Sequence, residues 1–368
     1  MFWTISTLAV LIVSVVSAGI LIPQILLVAF RKELFDVPDE RKIHRSAVPR
    51  LGGMAFAPVV FFSISLVLGI SIALGYDTLY QEVMGNMQSV SLVISAVIML
   101  YLVGLADDLI GVKYRAKFVV QIICALLLVG AGMSLSHFHG ALFIDTLPFW
   151  LAIPFTILLV VFVINAINLI DGVDGLASGL TGIALLFYGV IFCLLHEYIY
   201  ALVAFSTLGT VIPFFYYNVF GKAEKQKKIF MGDTGALTIG LLLCFLSLKL
   251  CTCDTTTMLC VNPLVMAFAP LLVPCFDVVR VFMRRIRNHK NPFMPDKTHI
   301  HHKMMGIGLN QRVTMISILL ISLTFSIISI LLSPYIDVNL LLLLDLSVWI
   351  LFNMWLTKRN LVYSKQTN

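Results

Sequence analysis

The sequence predicts an all-α, polytopic integral membrane protein with about eleven transmembrane helices, N-terminus outside and C-terminus cytoplasmic. Three observations predict it. Apolar residues make up 60% of the 368 residues and charged residues only 12%, against roughly a quarter charged in a soluble domain. Apolar runs of about 20 residues recur along the whole chain, each long enough to span a bilayer as a helix. The basic residues fall on alternate loops. This composition excludes an ordinary cytosolic globule, a disordered chain and a nucleic-acid-binding module, so no nucleic-acid partner is expected.

The spans run at about 2–30, 51–75, 88–106, 116–133, 147–168, 176–195, 199–217, 234–251, 262–282, 313–333 and 337–357. Backbone in lipid must satisfy its own hydrogen bonds, which demands helix in each. The first span has no basic residue before Arg31. A cleavable signal needs a basic start and a shorter apolar core, so this span reads as an uncleaved helix. Of the 25 Lys and Arg residues, 24 lie on one side of this arrangement, Lys249 being the exception. The positive-inside rule makes that side cytoplasmic. Residues 1–357 then form one transmembrane catalytic domain, with cytoplasmic loops at 31–50, 107–117, 169–175, 218–233 and 283–312. A short tail follows at 358–368. Of the seven cysteines, Cys251, Cys253 and Cys260 cluster at the outer face, where an oxidising compartment would permit one disulfide.

Orientation explains basic loops but not the carboxylates that gather with them, because Asp and Glu contribute little to topology. Asp107 and Asp108 are adjacent at the end of the third span. The fifth ends in N-A-I-N-L-I-D-G-V-D-G-L, residues 165–176, and the eighth begins after F-M-G-D-T-G, residues 230–235. Asn165, Asn168, Asp171 and Asp174 recur every third residue, which puts helical positions on one face. Gly172 and Gly175 favour a break, leaving the last members on a loop. Asp107, Asp108, Asp171, Asp174 and Asp233 thus bring five carboxylates to one depth, where unpaired they would repel. A divalent cation relieves that repulsion, and an oxygen-only donor set suits Mg²⁺ or Mn²⁺. His299, His301 and His302 lack the Cys pair or H-E-x-x-H of a zinc site. With their basic neighbours they suit phosphate oxygens instead. Carboxylates, a hard cation and phosphate-binding cations together point to phosphoryl-type transfer from a nucleotide. No Walker A or dinucleotide fingerprint occurs. Asp277, inside the ninth span, is expected to pair with Arg280 or Arg284. Asp345 has no functional reading.

The motifs resemble one family, the polyprenyl-phosphate N-acetylhexosamine-1-phosphate transferases, glycosyltransferases of family 4. The resemblance rests on D-V-P-D-E-R-K-I-H at 36–44, V-P-R-L-G-G at 48–53, the Asp107–Asp108 pair, the 165–176 and 230–235 motifs, and P-D-K-T-H-I-H-H at 295–302. It implies transfer of a sugar-1-phosphate from a UDP-N-acetylhexosamine to undecaprenyl phosphate in the bacterial inner membrane, with release of UMP. It implies Asp233 and Asn168 as metal ligands. Phe230, Asp174, Asn165 and Arg45 fall to the nucleotide. His299, His301, His302 and Arg50 fall to the sugar and diphosphate. Asp107, Asp108, Asp171 and Lys117 are the catalytic set. The H-I-H-H run looks like the branch that starts O-antigen and related envelope glycans with UDP-GlcNAc. The branch using UDP-MurNAc-pentapeptide carries three consecutive histidines and usually ten spans. Direct attack by the lipid phosphate and a covalent aspartyl-phosphate route stay open, as does the exact sugar. A homodimer is common in that family. A transporter or channel is the competing class, but here the polar residues sit at span ends and no repeat relates the halves.

Overall fold

The computed structural model describes residues 2–35, 48–253, 259–289 and 298–367. Arg45 and the 36–44 motif lie outside them. The elements are α1 (Phe2–Arg31), a 3₁₀ turn (Gly52–Ala55) running into α2 (Phe56–Ala73), α3 (Thr78–Gly85), α4 (Met87–Ile110), α5 (Tyr114–Gly130), α6 (Phe149–Ile170) and α7 (Leu176–Leu194). After these come α8 (Tyr198–Phe220), α9 (Gly232–Thr252), α10 (Pro263–Phe268), a 3₁₀ turn (Ala269–Leu271), α11 (Leu272–Arg287), α12 (Ile300–Gly306), α13 (Gln311–Leu332) and α14 (Val338–Thr367). Among the described residues there is no strand, only a single bridge between His137 and Thr146.

Ten segments are long and apolar enough to cross a membrane, so this is a multi-pass membrane protein. The remaining expected span is α5, a helix of 17 residues packed beside α4 and α6. At about 1.5 Å per residue it falls slightly short of a hydrocarbon core of roughly 30 Å.

Four boundaries differ from the sequence reading. The third span runs on to Ile110, so Asp107 and Asp108 occupy the last helical turn rather than a loop. The ninth is broken into α10, a 3₁₀ turn and α11, because Pro270 and Pro274 cannot donate backbone hydrogen bonds. The connection 78–85 forms the short α3, held by the buried Leu79; at eight residues it is too short to span a bilayer. α14 continues unbroken past residue 357 to Thr367.

α9 is the hub. Its residues are apolar on every face, and all but the ends are buried, as expected of a helix surrounded by helices. α4, α6, α7 and α10 enclose it. Two glycines let the backbones approach, as small residues do in membrane bundles. A Cβ at Gly104 of α4 would lie 2.6 Å from the Thr234 Cα, and one at Gly240 would lie 2.9 Å from the Ile164 Cα. The first contact brings the end of α4 onto the start of α9, and the second seats α6 along it. Cys251, Cys253 and Cys260 carry free thiols. Asp345 accepts from the Ser329 hydroxyl at 2.9 Å, so it joins α14 to α13.

Candidate active site

The first turn of α9 has backbone N–H groups without helical partners. Asp108 supplies them. One oxygen accepts from the Asp233 N–H at 2.8 Å; the other accepts from the Thr234 N–H at 2.9 Å and from the Thr234 hydroxyl. Gly104 is one turn earlier on the same face of α4, and its close approach puts Asp108 in reach. Gly232 begins α9 with φ +72. A Cβ there would collide with the Arg50 carbonyl and with the Asp108 carboxylate, which explains the glycine in F-M-G-D-T-G.

The V-P-R-L-G-G segment docks onto the same motif by backbone pairing. Phe230 N–H donates to the Pro49 carbonyl, Gly52 N–H to the Phe230 carbonyl and Gly53 N–H to the Met231 carbonyl, each at 2.9 Å. A Cβ at Gly53 would lie 2.0 Å from the Gly235 nitrogen, so two glycines meet where the chains cross.

With α9 so placed, Asp233 faces Lys117 of α5 and Asn168 of α6. The Lys117 ammonium donates to both Asp107, at 2.9 Å, and Asp233. Asp107 also accepts from the Val112 N–H at 2.6 Å. The Asn168 amide donates to the second Asp233 oxygen at 3.0 Å. Lys117, Asp107 and Asp233 are all only partly covered, their side chains between 16 and 25% exposed.

α6 ends at Ile170, and Asp171 follows as its cap residue. The break at the two glycines is as expected: Gly175 has φ +77. Asp171 is pushed up to about 7, by burial first, then by the negative charges of Asp174 and Asp233, with Arg50 opposing. Asp174 pairs with Lys228, whose ammonium also lies 5.9 Å from the Phe230 ring centre. An acid, a cation and an aromatic ring are thereby grouped beside Asp171.

The histidine segment is held from α11. Asp277 is fully buried. It accepts from Arg280 at 2.7 Å and from the Ile300 N–H at 3.1 Å, and its second oxygen lies 2.8 Å from His299 Nδ1. Arg280 also donates to the Thr298 carbonyl at 2.6 Å. The rings of His299 and His301 stack at 5.8 Å, and His302 lies 4.2 Å from His301. His301 packs its Nε2 against Gly172, where a Cβ would come within 2.8 Å. Burial and the neighbouring histidines push it down to about 3, so it is neutral at physiological pH. Its Nδ1 is buried without a hydrogen-bond partner.

The structure therefore brings together Asp107, Asp108, Lys117, Asn168, Asp171, Asp174, Phe230, Asp233 and the histidine segment. Arg50 joins them through its charge on Asp171 and its carbonyl at Gly232. Asn165 stands apart: its amide donates to Gln121 and to the Val161 carbonyl, both at 2.7 Å. Two participants escaped the sequence reading. Lys228 was one of four loop lysines, with nothing to single it out. Asn218, placed just beyond the end of an expected span, accepts from Gly175 N–H at 2.6 Å and donates to the Ile229 carbonyl at 2.8 Å. It ties the 171–175 loop to the Phe230 segment.

Oxygen donors with flanking cations, gathered at one end of a helical membrane bundle, define a membrane-embedded phosphotransferase. The chain belongs to glycosyl transferase family 4. The model of that family matches residues 90–251, from α4 through α9. A Bacillus subtilis protein named "Probable undecaprenyl-phosphate N-acetylglucosaminyl 1-phosphate transferase" is 33% identical over 87% of this chain and 83% of its own length. A Mycobacterium leprae protein named decaprenyl-phosphate N-acetylglucosaminephosphotransferase is 30% identical over 77% and 73%. A Salmonella typhi undecaprenyl-phosphate alpha-N-acetylglucosaminyl 1-phosphate transferase is 28% identical over 77% and 72%.

Proposed function

We propose that this protein transfers N-acetylglucosamine-1-phosphate from UDP-GlcNAc to undecaprenyl phosphate, releasing UMP and starting a cell-envelope polysaccharide such as O-antigen. The names of the relatives support the donor and acceptor. The observation that carries the chemistry is Lys117 set between Asp107 and Asp233 at the start of α9. The distribution of basic residues supports a cytoplasmic site in a bacterial inner membrane, with the N-terminus outside and the C-terminus inside.

A divalent cation, Mg²⁺ or Mn²⁺, fits this site. Five carboxylates face three cations, Lys117, Lys228 and Arg50, and burial together with the charges of Asp174 and Asp233 pushes Asp171 up. Among the described residues no three His, Cys, Asp or Glu side chains converge on a point. Magnesium does not ask for such a cage; it takes one or two protein oxygens, water and substrate phosphates. Asp233 and Asn168 would hold it, the Asn168 amide turned so that its oxygen joins the carboxylate. When bound, the ion supplies charge neutralisation at the diphosphate.

The remaining chemistry falls to this chain's side chains. A lipid phosphate oxygen attacks the β-phosphorus. A new P–O bond forms there, and the bond to the oxygen bridging the α- and β-phosphorus breaks, that oxygen leaving on UMP. Asp107 has one oxygen held by the Val112 N–H and the other on the Lys117 ammonium, a partner that a phosphate can take over, so it can orient the incoming phosphate or take its proton. Asp108 has both oxygens engaged by the α9 first turn, so it positions Asp233 instead of reacting. Lys117 offers a cation to the phosphates. His301, neutral, packs its ring against the Asp171 loop. Phe230, with Asp174 and Lys228 beside it, offers a face and polar edges for the uracil.

The test is transfer by the purified protein of label from UDP-GlcNAc into undecaprenyl phosphate with Mg²⁺, with UDP-GalNAc and UDP-MurNAc-pentapeptide run in parallel. Label from UDP-GlcNAc alone is expected. Label from another donor only would reassign the sugar. Label from none, with nucleotide still bound, would sink the transfer reading.

A further inference from the structure

The groove between α11 and α14 takes no part in the chemistry described above. It has a volume of about 670 Å³ and is lined by residues of α11, α12 and α14. Its floor is apolar: Phe276 from α11, and Leu346, Trp349 and Ile350 from α14. Its rim carries four cations, Arg280, Arg284, Lys303 and Lys358. Arg280 is committed to Asp277. Lys303 has only neutral partners, Thr357 at 2.9 Å and Asn353. Arg284 and Lys358 are exposed, and among the described residues neither has a carboxylate partner. No acidic side chain lines the groove.

Two further observations bear on an occupant. Burial first, then the charges of Arg280 and Arg284, push Lys303 down to about 8, with Asp277 opposing. The Trp349 indole N–H is buried and has no hydrogen-bond partner, although its residue is only 2% exposed. A molecule suited to all of this has a negative head and an apolar body long enough to lie on the floor.

We propose that this groove binds an anionic phospholipid of the surrounding membrane, its phosphate on Arg284, Lys303 and Lys358 and an acyl chain along Phe276, Leu346 and Ile350. A charged rim meeting an apolar floor is the geometry of a headgroup–acyl boundary. Basic pockets between transmembrane helices hold anionic headgroups by the same physics. Because Arg280 also grips Asp277, a lipid here rests against the support of the histidine segment. The proposal does not depend on the transfer reading, since binding is measured without turnover.

The test uses the full-length protein in phosphatidylcholine vesicles containing phosphatidylglycerol with brominated acyl chains, which quench nearby tryptophan fluorescence. The component lost in Trp349→Phe reports the groove. Brominated phosphatidylglycerol is expected to quench it selectively over brominated phosphatidylcholine. The double variant R284Q/K358Q, altered only at exposed positions, is expected to weaken that selectivity about 25-fold, roughly fivefold per cation. Equal quenching by both lipids, or an unchanged double variant, would overturn the proposal. Displacement by stoichiometric undecaprenyl phosphate would overturn it in favour of an acceptor site, and displacement by inorganic phosphate alone in favour of a simple anion site. Should Trp349→Phe fail to fold, phosphatidylglycerol retained through purification and counted by native mass spectrometry gives the same comparison between wild type and R284Q/K358Q.

Discussion

Two regions of this molecule are built from carboxylates and cations, and they use them in opposite ways. At the start of α9, Asp107, Asp233 and Asp171 outnumber their cations, and Asp107 and Asp233, partly open, share one ammonium. On α11, Asp277 has no exposure, and an arginine, a histidine and a backbone N–H satisfy it. A carboxylate with every lone pair engaged can hold a loop but has nothing left for a substrate. One that shares a single cation at a partly open site can exchange that partner for a phosphate or a metal ion. Charge pairing alone therefore does not identify a reactive carboxylate; the degree to which it is satisfied does.

The comparison can be broken most sharply at Asp233. Asp233→Ala should cut the transfer rate by about a thousandfold or more, the scale of losing a preorganised electrostatic element. Thermal unfolding should stay near wild type, because the residue is not what holds α9. A variant that keeps more than a tenth of the rate would remove Asp233 from the chemistry.

The next largest effects separate the adjacent aspartates. Asp107→Asn should lower kcat roughly a hundredfold, as for loss of a group acting on a proton, with little change in melting temperature. Asp108→Asn keeps one acceptor oxygen of two, so it should lower the melting temperature, and should lower the rate through displaced Asp233. Reversed signatures, a stable but dead Asp108→Asn and an unstable Asp107→Asn, would exchange their roles.

Asp277→Asn leaves Arg280 without its buried partner. Breaking one half of a buried pair costs roughly 3–5 kcal/mol. The expected readout is a lowered melting temperature together with a raised KM for the UDP-sugar, because His299 and the Ile300 backbone lose their anchor. An unchanged melting temperature would show that the pair carries no structural load.

The smallest effect is a displacement in pH. Asp171 sits near 7 because burial and neighbouring negative charge disfavour its ionised form. Protonation on the acid side then lowers kcat/KM as pH falls through about 7. Asp174→Asn removes one of those charges and should move this limb to lower pH, whatever it does to the absolute rate. A limb that moves up, or does not move, contradicts the assignment to Asp171. His301, already neutral, should contribute nothing to the profile above pH 5 or so.

Much of this was legible in the sequence because lipid restricts the choices. A bilayer admits only helices at these lengths, so the apolar runs returned all eleven helical segments. The carboxylate positions were legible because a charge at a span end has few bland explanations. What stayed hidden depends on three-dimensional approach. Nothing in the chain says that Gly104 lets Asp108 cap another helix, or that Gly53 and Gly235 meet across two loops. The Asn165–Asn168 spacing suggested two residues with one purpose, yet three residues is enough for Asn165 to turn toward Gln121 inside the bundle. Lys228 and Asn218 carry no pattern at all; only the fold of the 171–175 loop against Phe230 gives them meaning. Proximity on one helix offers Asp277 either Arg280 or Arg284, and the structure takes Arg280, whereas its bond to His299 crosses 22 positions.

The account rests most directly on where the divalent cation binds. Electron paramagnetic resonance of Mn²⁺ titrated into the detergent-purified protein with UDP reports it without turnover. One bound Mn²⁺ per chain is expected in the wild type and in a folded Asp277→Asn, and none in Asp233→Ala. Unchanged binding in Asp233→Ala, or loss confined to Asp277→Asn, would place the metal in the wrong region and contradict the distinction drawn between them.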